Sequence, residues 1–168
     1  IPDSVTSIGD GAFYDCNALT SLIIPDSVTS ISALAFDDCS NLAKIEVDAN
    51  NLNFSNDNRG VLFNKEKTTL ILAPRNIADS YQIPDSVTRI GKNAFYDCTR
   101  LNGVVIPDSV TSIDFSAFSG CSNLANIKFE GNNEYFIYEN GAVFNKDKTE
   151  LIKYPGKKEE TEYTIPDT

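Results

Sequence analysis

Leu19 to Cys39 reads LTSLIIPDSVTSISALAFDDC, and its recurrence decides the fold. The Ile-Pro-Asp phrase inside it begins at Ile1, Ile24, Ile83, Ile106 and Ile165, so intervals of 23 and 59 residues alternate within a super-period of 82. Five of the seven prolines sit in that phrase, and the others, Pro74 and Pro155, hold matching places in the two 59-residue blocks. Self-similarity at such a period marks a stack of small units, each of which buries its apolar side only against a neighbour.

Aligned copies keep apolar residues at Ile1, Val5, Ile8, Ala12, Phe13, Cys16, Leu19 and Leu22 and at their counterparts. This spacing is neither a clean 2 nor a clean 3.6, so each unit should mix a short strand, a turn and a brief helical segment. Leu19-x-x-Leu22-x-Ile24 recurs as Leu42-x-x-Ile45-x-Val47, Leu101-x-x-Val104-x-Ile106 and Leu124-x-x-Ile127-x-Phe129, and its closing alternation suits a one-sided strand. Proline then removes a ladder donor at the strand's end, and Asp-Ser turns the chain. The Ala-Phe-x-x-Cys segment, with inward residues three apart, predicts one or two turns of α or 3-10 helix. One phenylalanine per unit (Phe13, Phe36, Phe95, Phe118) should stack as a spine.

The pattern quoted above resembles the BspA-type leucine-rich repeats of long bacterial and protist surface proteins. The long blocks, with GVLFNKEKTTLILAP and GAVFNKDKTELIKYP, resemble that family's familiar interruption. The expected fold is an α/β repeat solenoid: right-handed leucine-rich coils, a parallel β-sheet on one face, short helical or 3-10 turns on the other, and two β-hairpin insertions. It should form one solenoid over residues 1–168, a fragment of a longer array, with coils at 1–23, 24–46, 83–105 and 106–128. The insertions span 47–82 and 129–164, and 165–168 begins a further repeat.

In each insertion two apolar segments flank a polar turn, Val61–Phe63 with Leu70–Leu72 and Val143–Phe144 with Leu151–Ile152, which reads as a β-hairpin. The loops before them diverge. NNLNFSNDN is rich in Asn and Asp, whereas NNEYFIYEN is aromatic, and its Tyr135 and Tyr138 are either a ligand anchor or residues packed beneath the loop.

Composition narrows the chemistry. The chain has no histidine, so Ser-His and Cys-His nucleophile pairs are excluded, and no enzyme, cofactor or metal is expected. Lys+Arg 14 against Asp+Glu 24 gives a net charge of -10, which argues against nucleic acid, and no apolar run is long enough to insert in a membrane. Cys16, Cys39, Cys98 and Cys121 share one place in the unit and read as buried free thiols, since spacing of 23 offers no zinc pattern. The ladder of Asp3, Asp26, Asp85 and Asp108 reads as turn-forming, with calcium the sharper alternative. Asp15, Asp37, Asp38 and Asp97 read as a solvated convex face.

The strand face directed away from the core is the candidate contact surface. Alternation puts Ile23, Lys44, Glu46, Val105 and Lys128 there, and apolar side chains facing water can mark a contact site. The family resemblance implies a binding module of a secreted or cell-surface protein, a monomer that meets extracellular host or cell-surface proteins or glycans. The alternative is a structural spacer that presents a functional domain elsewhere.

Overall fold

The computed structural model describes residues 1–155 and 162. The end of the second insertion and the phrase at 165–168 therefore lie outside the described residues. In chain order the strands are β1 (Ser7–Ile8), β2 (Ser21–Ile24), β3 (Ser30–Ile31), β4 (Lys44–Val47), β5 (Phe54–Asn56), β6 (Leu62–Asn64), β7 (Thr69–Leu72) and β8 (Asp79–Gln82). They continue as β9 (Arg89–Ile90), β10 (Leu101–Ile106), β11 (Ser112–Ile113), β12 (Asn126–Phe129), β13 (Phe136–Glu139), β14 (Ala142–Asn145) and β15 (Leu151–Lys153).

Stacking of the repeats is visible in the register. β2 pairs parallel with β4, Leu22 opposite Ile45, and β10 pairs parallel with both β8 and β12, so Tyr81, Val104 and Ile127 form one row. A second set of short parallel pairs, β1 with β3 and β9 with β11, follows the Ile-Pro-Asp-Ser-Val turn of each coil. Between them lie the apolar positions read from the sequence: in the second coil Ile24, Val28, Phe36, Cys39, Leu42 and Ile45 are fully buried. Their first-coil counterparts Val5, Phe13, Cys16, Leu19 and Leu22 are only partly buried, because that coil is covered on one side alone. Burial thus depends on neighbours, at roughly 1.5 to 3 kcal/mol for each large apolar side chain covered.

No helix forms among the described residues, which corrects the expected helical turns. In the Ala-Phe-x-x-Cys segment alternate N–H groups bond three residues back, as Tyr14 does to Gly11 at 2.9 Å. The intervening ones donate to the next coil instead, Phe13 to Ala35 at 2.8 Å and Asp15 to Asp37 at 3.0 Å. Asp15, Asp38 and Asp97 also adopt positive φ, near 55°, which stops any helical run. Three-residue spacing is common to turns and helices, and here the neighbouring coil takes the donors.

Nor are the long blocks hairpin insertions that stand off the solenoid. β5, β6 and β7 are antiparallel, but β7 also pairs parallel with β9 and β8 with β10, so Thr69 to Gln82 completes a coil. Three residues fewer separate Leu70 from Tyr81 than separate their partners Ile90 and Val104, so this coil has no room for the usual Ala-Phe-x-x-Cys turn. The first meander is a wall between two cores: Leu62 and Leu72 face one, while Val61, Phe63 and Leu70 face the other. A strand buried on both faces reads as a continuous apolar run. In the second block β13, β14 and β15 pair antiparallel in the same way.

The phenylalanine spine is consequently split. Phe13 stacks on Phe36 and Phe95 on Phe118, each with ring centroids 5.2 Å apart, but the short coil supplies Ala73 at the equivalent place. Among the described residues no helix is long and apolar enough to cross a membrane.

Candidate functional site

The outward strand face divides into two patches. Ile23 lies opposite Glu46 on the β2–β4 pair, while Gln82, Val105 and Lys128 form one row across β8, β10 and β12. Ile23 is 60% exposed, Val105 is half-buried and Lys128 is exposed. Lys44 and Glu46 form an ion pair with both side chains open to water, which contributes little stability. Ile23 and Val105 therefore belong to different sheets. Gly60 stands beside β4, its carbonyl accepting the Ile45 N–H at 3.3 Å.

Two asparagines, which sequence reasoning missed, fasten the loops. Asn51 donates from Nδ2 to the carbonyls of Pro25 (2.7 Å) and Val28 (3.0 Å), and its Oδ1 accepts from Asn53 and Phe54 N–H at 2.8 Å each. Asn133 repeats this with Pro107, Val110, Tyr135 and Phe136. Both amides are buried with every polar valence used. The signal was present as the repeated Asn-Asn that opens both loops.

Above these anchors the loops diverge. In the first, the Asp57 carboxylate accepts from Arg59 and Val61 N–H and from the Tyr81 hydroxyl at 2.6 Å. Arg59 reaches across to the Ala78 carbonyl at 2.7 Å. Burial, with Asp57 next in effect, pushes the Tyr81 hydroxyl's pKa far up, so it stays a donor. The second loop replaces Asn56 with Tyr138 and lacks an Arg59 counterpart. A cleft of about 510 Å³ opens there, lined among others by Lys128, Phe129, Phe136, Tyr138 and Lys146. Tyr138 is half-buried in it, and Tyr135 is 48% exposed outside it.

Arg75, only 3% exposed, is a third residue that sequence reasoning missed. It occupies the missing turn of the short coil: Nε donates to the Phe36 carbonyl at 3.3 Å, Nη1 to the Tyr96 carbonyl, and the guanidinium lies 5.1 Å from the centroid of the Tyr96 ring. Nη2 stands 3.7 Å from Asp37. Carboxylate oxygens of Asp37, Asp38 and Asp97 gather within 4.8 Å of one another, Asp38 exposed and the other two partly buried, and Asp37 is the one paired with the buried cation. Burial pushes the Asp97 carboxyl up, with Arg75 opposing and Asp37 adding to the rise. The sequence signal was Pro74-Arg75, where the second block has Pro155-Gly156.

The four cysteines are free, as read from the sequence. Cys39 and Cys121 donate to the Phe13 and Phe95 carbonyls of the preceding coil, each at 2.9 Å. Burial pushes the Cys121 thiol up to about 11 and Cys98 higher still, so neither is a nucleophile.

The same repeat is found in known proteins. Six copies of the BspA type leucine rich repeat region match the chain, over residues 1–79 and 75–164. The chain belongs to this family. A leucine rich cell surface protein of Faecalibacterium prausnitzii is 38% identical with a TM-score of 0.65, the match covering 76% of this chain and 34% of that one. A leucine-rich repeat protein of Eubacterium ventriosum is 30% identical (TM-score 0.58; 77% and 41%). The pneumococcal vaccine antigen PcpA is 28% identical (TM-score 0.59; 66% and 27%). The BspA-type chain thus corresponds to well under half the length of these relatives. No curated protein matches it.

Proposed function

We propose that this BspA-type segment is a non-catalytic binding module of a secreted or cell-surface protein, making adhesive or protein-protein contacts through the outward strand face. The observation that carries the reading is Ile23, 60% exposed at the centre of a strand where alternation calls for a polar side chain. Similarity to a cell surface protein supports the location. The face offers shape and a mixed set of side chains (Ile23, Lys44, Glu46, Val105, Lys128) and no group poised for covalent chemistry, so a partner would be held by complementarity. Extracellular proteins or glycans are the partners expected. The test is binding of the 168-residue chain to an array of matrix proteins and glycans, beside an Ile23→Glu, Lys128→Glu variant. Saturable binding that the variant loses supports a module. Absence of saturable binding to any member supports a spacer.

A further inference from the structure

The two 82-residue copies differ in how they treat the outer edge of a coil's strand. In a parallel ladder alternate residues turn their N–H groups to opposite sides. In β4 the outward donors are Ile45 and Val47, and both are met by the loop that follows: Gly60 O accepts from Ile45 at 3.3 Å and Asn56 Oδ1 from Val47 at 2.9 Å. A Cβ at Gly60 would fall 2.8 Å from the Ile45 nitrogen, so the backbones touch. Arg59 holds this plug in place by bonding to the Ala78 carbonyl, just before β8.

The corresponding donors in β12 are Ile127 and Phe129. The inner side of that strand is paired as in β4, with Glu130 N–H donating to Ile106 O at 2.8 Å where Asp48 donates to Ile24 O. On the outer side neither Ile127 nor Phe129 has an acceptor among the described residues. Tyr138 has replaced the capping Asn56, and the residue that tethers the plug is deleted. The opening is the cleft of about 510 Å³, which holds the stacked pair Phe129 and Phe136 (6.1 Å between centroids) and the Tyr138 ring. Lys128, exposed on the same strand, has no carboxylate partner among the described residues, and the Lys146 ammonium lies across the cleft, bonded to the Asn133 carbonyl at 3.1 Å.

We propose that the outer edge of β12 and this cleft bind an extended polypeptide strand carrying an acidic side chain. The first copy shows the kind of group that fits: a main-chain carbonyl against residue 45 and a second oxygen against residue 47. A peptide strand supplies carbonyls at that spacing, as in strand addition to an open sheet edge. Its apolar side chains would lie on Phe129 and Tyr138 and its carboxylate would meet Lys128. The proposal rests on the binding-module reading and specifies one of its sites.

The probe is a fluorescent ten-residue peptide of alternating valine and glutamate, titrated with the 168-residue chain and followed by anisotropy. The closed variant carries Tyr138→Asn and an arginine inserted between Asn140 and Gly141, which gives this loop the two plug residues of the first copy, Asn56 and Arg59. Amide exchange at Ile127 and Phe129 in the original chain is expected to be more than tenfold faster than at Ile45 and Val47, and to slow in the closed variant, which also confirms that the variant folds. Saturable binding that falls more than tenfold in the closed variant and severalfold in Lys128→Glu supports the site. No saturation below about 1 mM, or binding unchanged in a folded closed variant, overturns it. A chain that binds array members but not this peptide loses this proposal alone. One that binds the peptide but nothing on the array loses the broader reading alone.

Discussion

Arg75 reaches the carbonyl of Phe36, 39 residues before it, with its Nε at 3.3 Å. The same guanidinium donates to Tyr96 on the other side, so one side chain bridges the coils before and after the short one. In the regular coils backbone N–H groups serve those turns, as from Asp97 to Ser119 at 2.9 Å. Arg75→Ala is expected to take one donor each from the Phe36 and Tyr96 carbonyls, leaving Phe36 only its bond from Cys39 N–H, and to leave Asp37 without its cation, destabilising the fold by about 3 kcal/mol. Arg75→Lys should recover only a part, since an ammonium cannot fork between both turns. Urea denaturation of the three proteins measures this. A loss below about 0.5 kcal/mol in the alanine variant would show that the bridge is dispensable.

Asn51 and Asn133 each join a loop to the Ile-Pro-Asp-Ser-Val turn of the coil before it, donating from Nδ2 to turn carbonyls and accepting two loop N–H groups at Oδ1. Truncation to alanine takes the side-chain partner from the Val28 or Val110 carbonyl and from two loop N–H groups, and about 2 to 3 kcal/mol is the expected cost at either position. Asn51→Asp should cost at least as much at neutral pH, because a carboxylate cannot donate to Pro25 and Val28. Thermal unfolding of the single variants tests this, and an aspartate variant as stable as the parent would refute it.

The regular coils were legible in the sequence because each buries the same set: Ile24, Val28, Phe36 and Leu42 in one, Ile106, Val110, Phe118 and Leu124 in another. The short coil was not. Its buried apolar side chains include Leu70, Leu72, Ala73, Ile77 and Tyr81 on a shortened spacing, and a charged side chain does the work of a backbone turn, so the pattern of the regular coils is interrupted there. Its two-faced strand, Val61–Leu62–Phe63, looked like half of a detached hairpin because alternation disappears when both faces are covered. The strand-face residues were legible from alternation alone. Their division into two sheets was not, since the loop around Gly60 that separates β4 from β8 is distant in sequence from both faces' signatures.

Gly60 holds its position by a close backbone approach as well as by its φ of +72°. Gly60→Ala adds a methyl 2.8 Å from both the Ile45 nitrogen and the Lys44 Cα, and a non-glycine residue in that φ region adds strain of its own. The loop is expected to lift from β4, at a cost of roughly 1 to 3 kcal/mol. Site-resolved amide exchange should show Ile45 freed while Val104, paired elsewhere, stays protected. Unchanged protection at Ile45 would mean that the loop accommodates the methyl without leaving the strand.

The buried thiols set an alkaline limit. Cys121 has its pKa raised by burial from the ordinary 9.0 to about 11, and Cys39 and Cys98 are raised for the same first cause. Because the folded pKa is the higher one, the stabilisation is complete below pH 9. It is lost as pH rises toward 11, where the unfolded chain releases protons that the folded chain retains. Each such thiol adds a slope of up to about 1.4 kcal/mol per pH unit within its window. Tyr81, raised from 10.0, extends the loss to higher pH. Denaturation midpoints followed from neutral pH to about pH 10.5 should therefore fall, and Cys121→Ala should lower the neutral-pH stability while making the alkaline fall shallower. In the native chain at mildly alkaline pH a thiol reagent should modify Cys16, the partly exposed one, well before the other three. Equal rates at all four, or an alkaline slope unchanged by Cys121→Ala, would remove the thiols as the cause.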